Sequence, residues 1–172
     1  YGGHAVAITG HCHPKVVEAI QKQAERLIFY SNVVYNDVRA SLSELLISIA
    51  PPGISQVFLC NSGGEANETA LKIARKFTKR EYVISMKGGF HGRTIGALSA
   101  TGIEKYRTFK PLLTQHRFAE FGDIRSLEGL VDDRVAAIIL EPVQSMAGAI
   151  TASPEYYRGL RRICDERGIV LI

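Results

Sequence analysis

Cysteine is scarce in this sequence of 172 residues, and no apolar run is long. Cys12, Cys60 and Cys164 are odd in number and widely spaced, which argues against a disulfide framework and for a reducing, cytoplasmic compartment. No stretch reaches the roughly 20 apolar residues of a membrane-spanning helix, so no membrane partner is expected. The opening Tyr1-Gly2-Gly3 lacks the charged and apolar regions of a secretory signal. Its abruptness suggests that residues precede it, which leaves a removed organellar targeting segment open. No repeat and no low-complexity tract is present. Charge of one sign is not concentrated either: 21 Lys and Arg against 17 Asp and Glu give a scattered +4. A nucleic-acid reader needs a clustered basic face with stacking aromatics, so no nucleic-acid partner is expected. His11-Cys12-His13 has no second Cys/His pair at finger-like spacing, and adjacent residues diverge in direction, so no metal is expected.

At 46% hydrophobic and 22% charged residues, the chain lies in the ordinary globular range and has the size of about one domain. Pro14 stands at the first position of a predicted helix whose apolar face is Val16, Val17, Ile20, Ala24 and Leu27. A second helix carries Leu42, Leu45, Leu46 and Ile49 and ends before Pro51-Pro52. Both stripes read as core or as subunit interface.

The most informative stretch is Cys60-Asn61-Ser62-Gly63-Gly64-Glu65-Ala66-Asn67-Glu68. Before it, Gln56-Val57-Phe58-Leu59-Cys60 reads as a buried strand bounded by Pro51-Pro52-Gly53. After it, Ala66, Ala70, Ile73, Ala74 and Phe77 recur at helical spacing, with Arg75, Lys76 and Lys79 near the end that favours cations. A small-residue turn opening a helix leaves backbone N–H groups pointing outward, a ready anion site. The competing reading is a plain capping box of Ser62 and Glu65.

Two further segments carry chemistry. Tyr82–Met86 reads as a strand running into Lys87-Gly88-Gly89-Phe90-His91-Gly92-Arg93-Thr94. Aromatics on such a loop suit stacking on a flat ring, and Arg93 offers a fork for a carboxylate. The alternative is a core Phe90, a structural His91 and a solvated Arg93. Val135–Leu140 reads as a strand buried on both faces, the mark of a parallel sheet covered by helices. Glu141 and Gln144 follow it and, at a strand's carboxyl end, belong in the same crevice as the two loops; Glu141 as a surface or capping residue is the other reading.

These three motifs, in this order and spacing, resemble the class III pyridoxal-phosphate aminotransferases, which include the acetylornithine, ornithine and 4-aminobutyrate aminotransferases. The resemblance runs from Gly10-His11-Cys12-His13-Pro14 to Cys164-Asp165-Glu166-Arg167-Gly168-Ile169. It implies an α/β fold, the fold type I large domain with a mostly parallel sheet flanked by helices and here incomplete. Residues 1–50 would be an N-terminal segment leading into that domain, and residues 51–172 its first part. The cofactor implied is pyridoxal 5'-phosphate. Ser62, Gly63 and Gly64 would hold its phosphate, Phe90 would stack on its ring with His91 beside it, and Glu141 would order hydrogen bonds near it. Arg93 would receive a substrate carboxylate, and Tyr35 would line the substrate entrance.

The implied reaction moves an amino group from an amine or amino acid to a 2-oxo acid by a ping-pong route, in a homodimer. An aminomutase on the same scaffold and a non-catalytic phosphate-ligand module remain alternatives. A nucleotide module is disfavoured because no lysine follows the glycine turn and no G-x-G-x-x-G occurs. Two departures stand out. Gly64 occupies the usual threonine position, and Met146 the usual glutamate position in Gln144-Ser145-Met146. No lysine matches the Schiff-base position and the chain stops in an apparent strand after Gly168, so it is expected to be the N-terminal portion of a longer enzyme, inactive alone.

Overall fold

The computed structural model describes residues 2–172. It forms two compact units, Tyr1–Phe58 and Leu59–Ile172. The first contains α1 (Gly2–Val6), α2 (Pro14–Arg26) and α3 (Asp37–Ile49). Pro14 does open α2, where its missing N–H costs nothing. Asn36 caps α3 by accepting a hydrogen bond from the Arg39 amide, 3.0 Å. No residue of either helix is buried, so the core reading of their stripes does not hold; Ile20 is 64% exposed and Leu45 60%. The expected strand at Gln56–Cys60 is not formed either. A strand is stable only with a ladder partner, none pairs with this run among the described residues, and Phe58 and Leu59 lie exposed.

The second unit contains α4 (Gly63–Thr78), β1 (Tyr82–Met86), α5 (Ile95–Ala100), β2 (His116–Ala119), α6 (Ile124–Glu128), β3 (Val135–Ile139), a hairpin of β4 (Val143–Gln144) and β5 (Ile150–Thr151), α7 (Pro154–Arg167) and β6 (Val170–Leu171). Strands β2, β1, β3 and β6 pair in that order, all parallel. Every residue of β3 is buried, and so are four of the five of β1, because both sheet faces are covered. Alternation along the strands divides the core into two layers. Val83, Ala137 and Ile139 pack with Leu71, Ala74 and Ala100 of α4 and α5. Ile84, Met86 and Ile138 pack with Leu127, Tyr156, Leu160 and Ile163 of α6 and α7. This is the predicted α/β architecture.

Helix α4 buries only part of the predicted stripe: Ala74 faces the sheet, joined by Leu71, while Ile73 and Phe77 are exposed. Leu71 and Ala74 pack with Val83, Ala137 and Ile139 of the sheet, and this contact sets the inward side of the helix. Arg75 and Lys76 fill its last turn as expected, and Gly168 closes α7 in the left-handed conformation, φ 60°.

Candidate functional site

Parallel pairing of β1 with β3 sets their carboxyl ends side by side, with Ser85 opposite Ile139. The loop after β1 carries Phe90, His91 and Arg93, the turn after β3 carries Glu141, and Gln144 follows it in β4. Two glycines then draw three segments together. Gly92 has φ +129°, and a Cβ there would lie 2.9 Å from the Gly64 Cα, so the aromatic loop rests directly on the glycine turn of α4. Gly88 has φ +79°, and a Cβ there would lie 2.7 Å from Oε1 of the buried Gln144. Gln144 Nε2 in turn donates to the Lys87 carbonyl, 2.9 Å.

The glycine turn forms the capping box of its second sequence reading. Ser62 is the cap of α4, its Oγ accepting from the Glu65 amide at 3.2 Å, while Glu65 Oε2 accepts from the Asn61 amide at 2.6 Å. The Ser62 hydroxyl keeps its own proton for another acceptor. The Gly63 and Gly64 amides lie in the first turn, outside the helical ladder, at the positive end of the helix dipole, where an anion is favoured. Ser62 and Gly63 are exposed, and a Cβ on Gly63 would meet nothing within 4 Å, so the bend is open to a phosphate ester.

Around the turn, α4 braces its neighbours. Asn67 Nδ2 donates to the His91 carbonyl at 2.6 Å, and Glu68 Oε1 accepts from the Gly96 and Ala97 amides at 2.7 and 3.2 Å. Burial alone would raise the Glu68 carboxyl, but the Thr94 hydroxyl and these two amides outweigh it and hold the group below its ordinary range. A side chain on Gly96 would overlap that carboxylate. Neither brace was assigned from sequence: the motif contains Asn67 and Glu68, but their partners lie more than twenty residues away.

Phe90 is half-buried, and its amide donates to Glu141 Oε1 at 2.7 Å. Glu141 thus fixes the loop that carries the ring. His91 is 5% exposed; its amide donates to Thr101 Oγ1 at 3.1 Å, and its Nε2 is buried without a partner. Burial pushes the His91 imidazole down to about 4, so it is neutral near pH 7. Arg93 is exposed, its guanidinium 5.4 Å from the Tyr106 ring centroid. Tyr35 stands in the first unit, exposed, just before α3. Met146 is 47% exposed and brings no charge to the position where glutamate was expected.

Gly64 is not confined to glycine by space. A Cβ there would meet the Thr94 methyl and hydroxyl only at 3.7 and 3.8 Å, ordinary contact distances. Gly64→Thr is expected to leave thermal stability unchanged or slightly raised, since glycine is a poor helix residue. The added hydroxyl is expected to tighten phosphate-ester binding by about 1 kcal/mol, measured by equilibrium titration.

Helices on both faces of a parallel sheet, with an open helix start, an aromatic loop and a carboxylate at its carboxyl edge, define an α/β protein with a candidate site at that edge. The chain belongs to the class III aminotransferase family, whose model matches residues 1–172. The acetylornithine aminotransferase of Methanopyrus kandleri is 48% identical over 171 residues, which cover 99% of this chain and 44% of that protein. That of Caldanaerobacter subterraneus subsp. tengcongensis is 46% identical over 177 residues, again 99% of this chain and 44% of the relative. Among solved structures, the ornithine aminotransferase of Toxoplasma gondii ME49 has a TM-score of 0.85 at 33% identity, covering 95% of this chain and 41% of its own. A transaminase from the marine bacterium Virgibacillus has a TM-score of 0.89 at 26% identity, covering 94% and 41%. A further T. gondii ornithine aminotransferase structure is described with partial occupancy of PLP at its active site.

The chain spans about 44% of the length of the curated relatives it matches. Its fold is that of the fold type I pyridoxal-phosphate transferase large domain, in part. The family's cofactor is pyridoxal 5'-phosphate. The residues present fit that group: an open helix start for the ester, a half-buried ring beside it, and a buried imidazole nitrogen with no protein partner.

Proposed function

We propose that this chain supplies the phosphate and ring side of the active site of an aminotransferase that passes an amino group from an amine or amino acid, including ω-amino donors, to a 2-oxo acid. The observation that carries the reading is the close approach of Gly92 to Gly64, which sets the aromatic loop against the glycine turn. When bound, the cofactor supplies the electron sink and carries the amino group between donor and acceptor, which makes the exchange ping-pong. The chain's own residues bind and orient. Ser62, Gly63 and Gly64 hold the ester, Phe90 covers one ring face, and Glu141 keeps Phe90 in place through its amide. Neutral His91 offers a nitrogen beside the ring without adding charge to the site. Arg93 receives a substrate carboxylate, and Tyr35 lines the substrate entrance.

Homodimerisation fits the exposed stripes of α2 and α3, which a second copy would cover. A cytoplasmic setting fits the unpaired cysteines, of which Cys12 and Cys60 are exposed. Among the described residues no helix is long and apolar enough to cross a membrane.

The full-length protein is expected to be yellow, with visible absorbance bleached by an amine donor. Arg93→Lys should lower kcat/KM for donors or acceptors with an extra carboxylate by about tenfold, the scale of a lost charge-assisted hydrogen bond, and spare plain amines. Equal losses on both classes would remove Arg93 from the substrate pocket. A protein that neither colours nor responds to donors would overturn the reading as a whole.

A further inference from the structure

Between α5 and β2 lies a single 3₁₀ turn, Glu104–Tyr106, that the reading above leaves without a part. The turn is anchored by its successor. Arg107 Nη1 donates to the carbonyls of Leu98, Ser99 and Thr101 at 3.3, 2.9 and 2.9 Å, and its guanidinium lies 4.7 Å from the Phe118 centroid. So held, Tyr106 is half-buried and meets two side chains of the aromatic loop. Its ring is edge-on to Phe90, centroids 5.4 Å apart and planes at 66°, within the favourable range for aromatic pairs. The Arg93 guanidinium lies over the same ring at 5.4 Å, and the Lys105 ammonium at 5.1 Å. Arg93, Lys105 and Tyr106 also line a cavity of about 180 Å³ with Leu98, Thr108 and Phe109.

Phe90 and Arg93 have separate proposed tasks, ring cover and carboxylate capture, yet both meet the one ring of Tyr106, in a three-residue turn followed directly by the anchored Arg107. We propose that Tyr106 is a positioning residue whose ring sets Phe90 against the cofactor and steers Arg93 toward the substrate carboxylate, so that both functions depend on it together. The proposal rests on the aminotransferase reading. A long exposed arginine samples many rotamers, and a ring face that attracts its charge narrows them before substrate arrives. The edge contact does the same for the Phe90 plane. What matters is the aromatic ring, since no hydrogen bond of the hydroxyl enters the argument.

The test uses the full-length enzyme with Tyr106→Phe and Tyr106→Leu. Apoenzyme affinity for pyridoxal 5'-phosphate is measured by equilibrium dialysis, and KM and kcat are measured for a dicarboxylic substrate and for a plain amine. Tyr106→Phe is expected to stay within about twofold of wild type throughout. Tyr106→Leu is expected to lose about three- to tenfold in cofactor affinity and to raise the dicarboxylate KM by a similar factor, the scales of one aromatic pair and one cation–π contact. The plain amine KM should hold. A purely structural role would lower the melting temperature without that split between substrates. Should Tyr106→Leu fail to fold, pentafluorophenylalanine at position 106 removes the ring face's attraction for cations with little change of shape and no ionisable hydroxyl, and the same rise in dicarboxylate KM relative to Tyr106→Phe is expected. Unchanged cofactor affinity and dicarboxylate KM in Tyr106→Leu, or an unchanged KM with the fluorinated ring, overturns the proposal. Wild-type enzyme that fails to take up pyridoxal 5'-phosphate overturns the parent reading instead.

Discussion

Gly92→Ala is expected to unfold at markedly lower denaturant and to bind pyridoxal 5'-phosphate weakly. Two independent costs meet at this position. At φ +129° an alanine is strained by about 1–3 kcal/mol. Its methyl would also lie 2.9 Å from the Gly64 Cα and 3.1 Å from the Ala97 Cβ, and relieving such overpacking costs about another 1–3 kcal/mol. Backbone atoms cannot swing aside as a side-chain end can, so the aromatic loop must lift off the glycine turn. Cofactor affinity then falls with stability, because ester and ring are held by the two pieces that separate. Gly63→Ala is the control: nothing lies within 4 Å of the added carbon, and its stability should match or exceed the parent. Gly92→Ala with an unchanged denaturation midpoint would show that the two loops are not in close contact.

Acid is expected to weaken the fold well before most carboxylates titrate. Burial pushes both His91 and His116 down to about 4 from an ordinary 6.5; for His116 the charges of Arg75 and Arg107 add to burial. As pH drops below 6.5, the unfolded chain takes up a proton on each ring, whereas the folded chain does not until about 4. The unfolded state therefore binds more protons across that window, and stability falls as pH falls, by up to about 3 kcal/mol for each ring. Urea midpoints measured between pH 7 and 4.5 should decline steeply, and replacing both histidines with asparagine should flatten the decline. A midpoint independent of pH in the parent protein would contradict the burial of the two rings.

What the sequence disclosed followed from physical signals that act locally. Val135–Ile139 is a strand because five consecutive small and β-branched apolar residues suit burial on both faces, and the structure buries all five. Pro14 and Gly168 marked a helix start and a helix end through backbone constraints that need no partner. Where the outcome depends on distant chain, local reading failed. Gln56–Cys60 has a strand's composition but no ladder partner among the described residues. The helical period alone placed Ile73 and Phe77 inward with Ala74, whereas the sheet packs against Leu71 and Ala74. At the site, the sequence disclosed the groups proposed to meet a ligand, Ser62, Phe90 and Arg93, but not the groups that hold them. Glu68 reaches the start of α5, and Tyr106 reaches both Phe90 and Arg93, through contacts that only the fold creates.

The central claim is that backbone N–H groups at the start of α4 grip a phosphate ester, and Gly63→Pro in the full-length protein tests it most directly. Gly63 is the first residue of α4, where proline is tolerated, and Ser62 before it is already extended at φ −154°, ψ 160°, as a residue preceding proline prefers. The helix should form as before while one N–H disappears. Equilibrium binding of pyridoxal 5'-phosphate is expected to weaken roughly tenfold or more, the scale of a hydrogen bond to a charged group, with the melting temperature of the apoprotein preserved. Cofactor affinity equal to that of the parent, in a variant that folds equally well, would contradict the account.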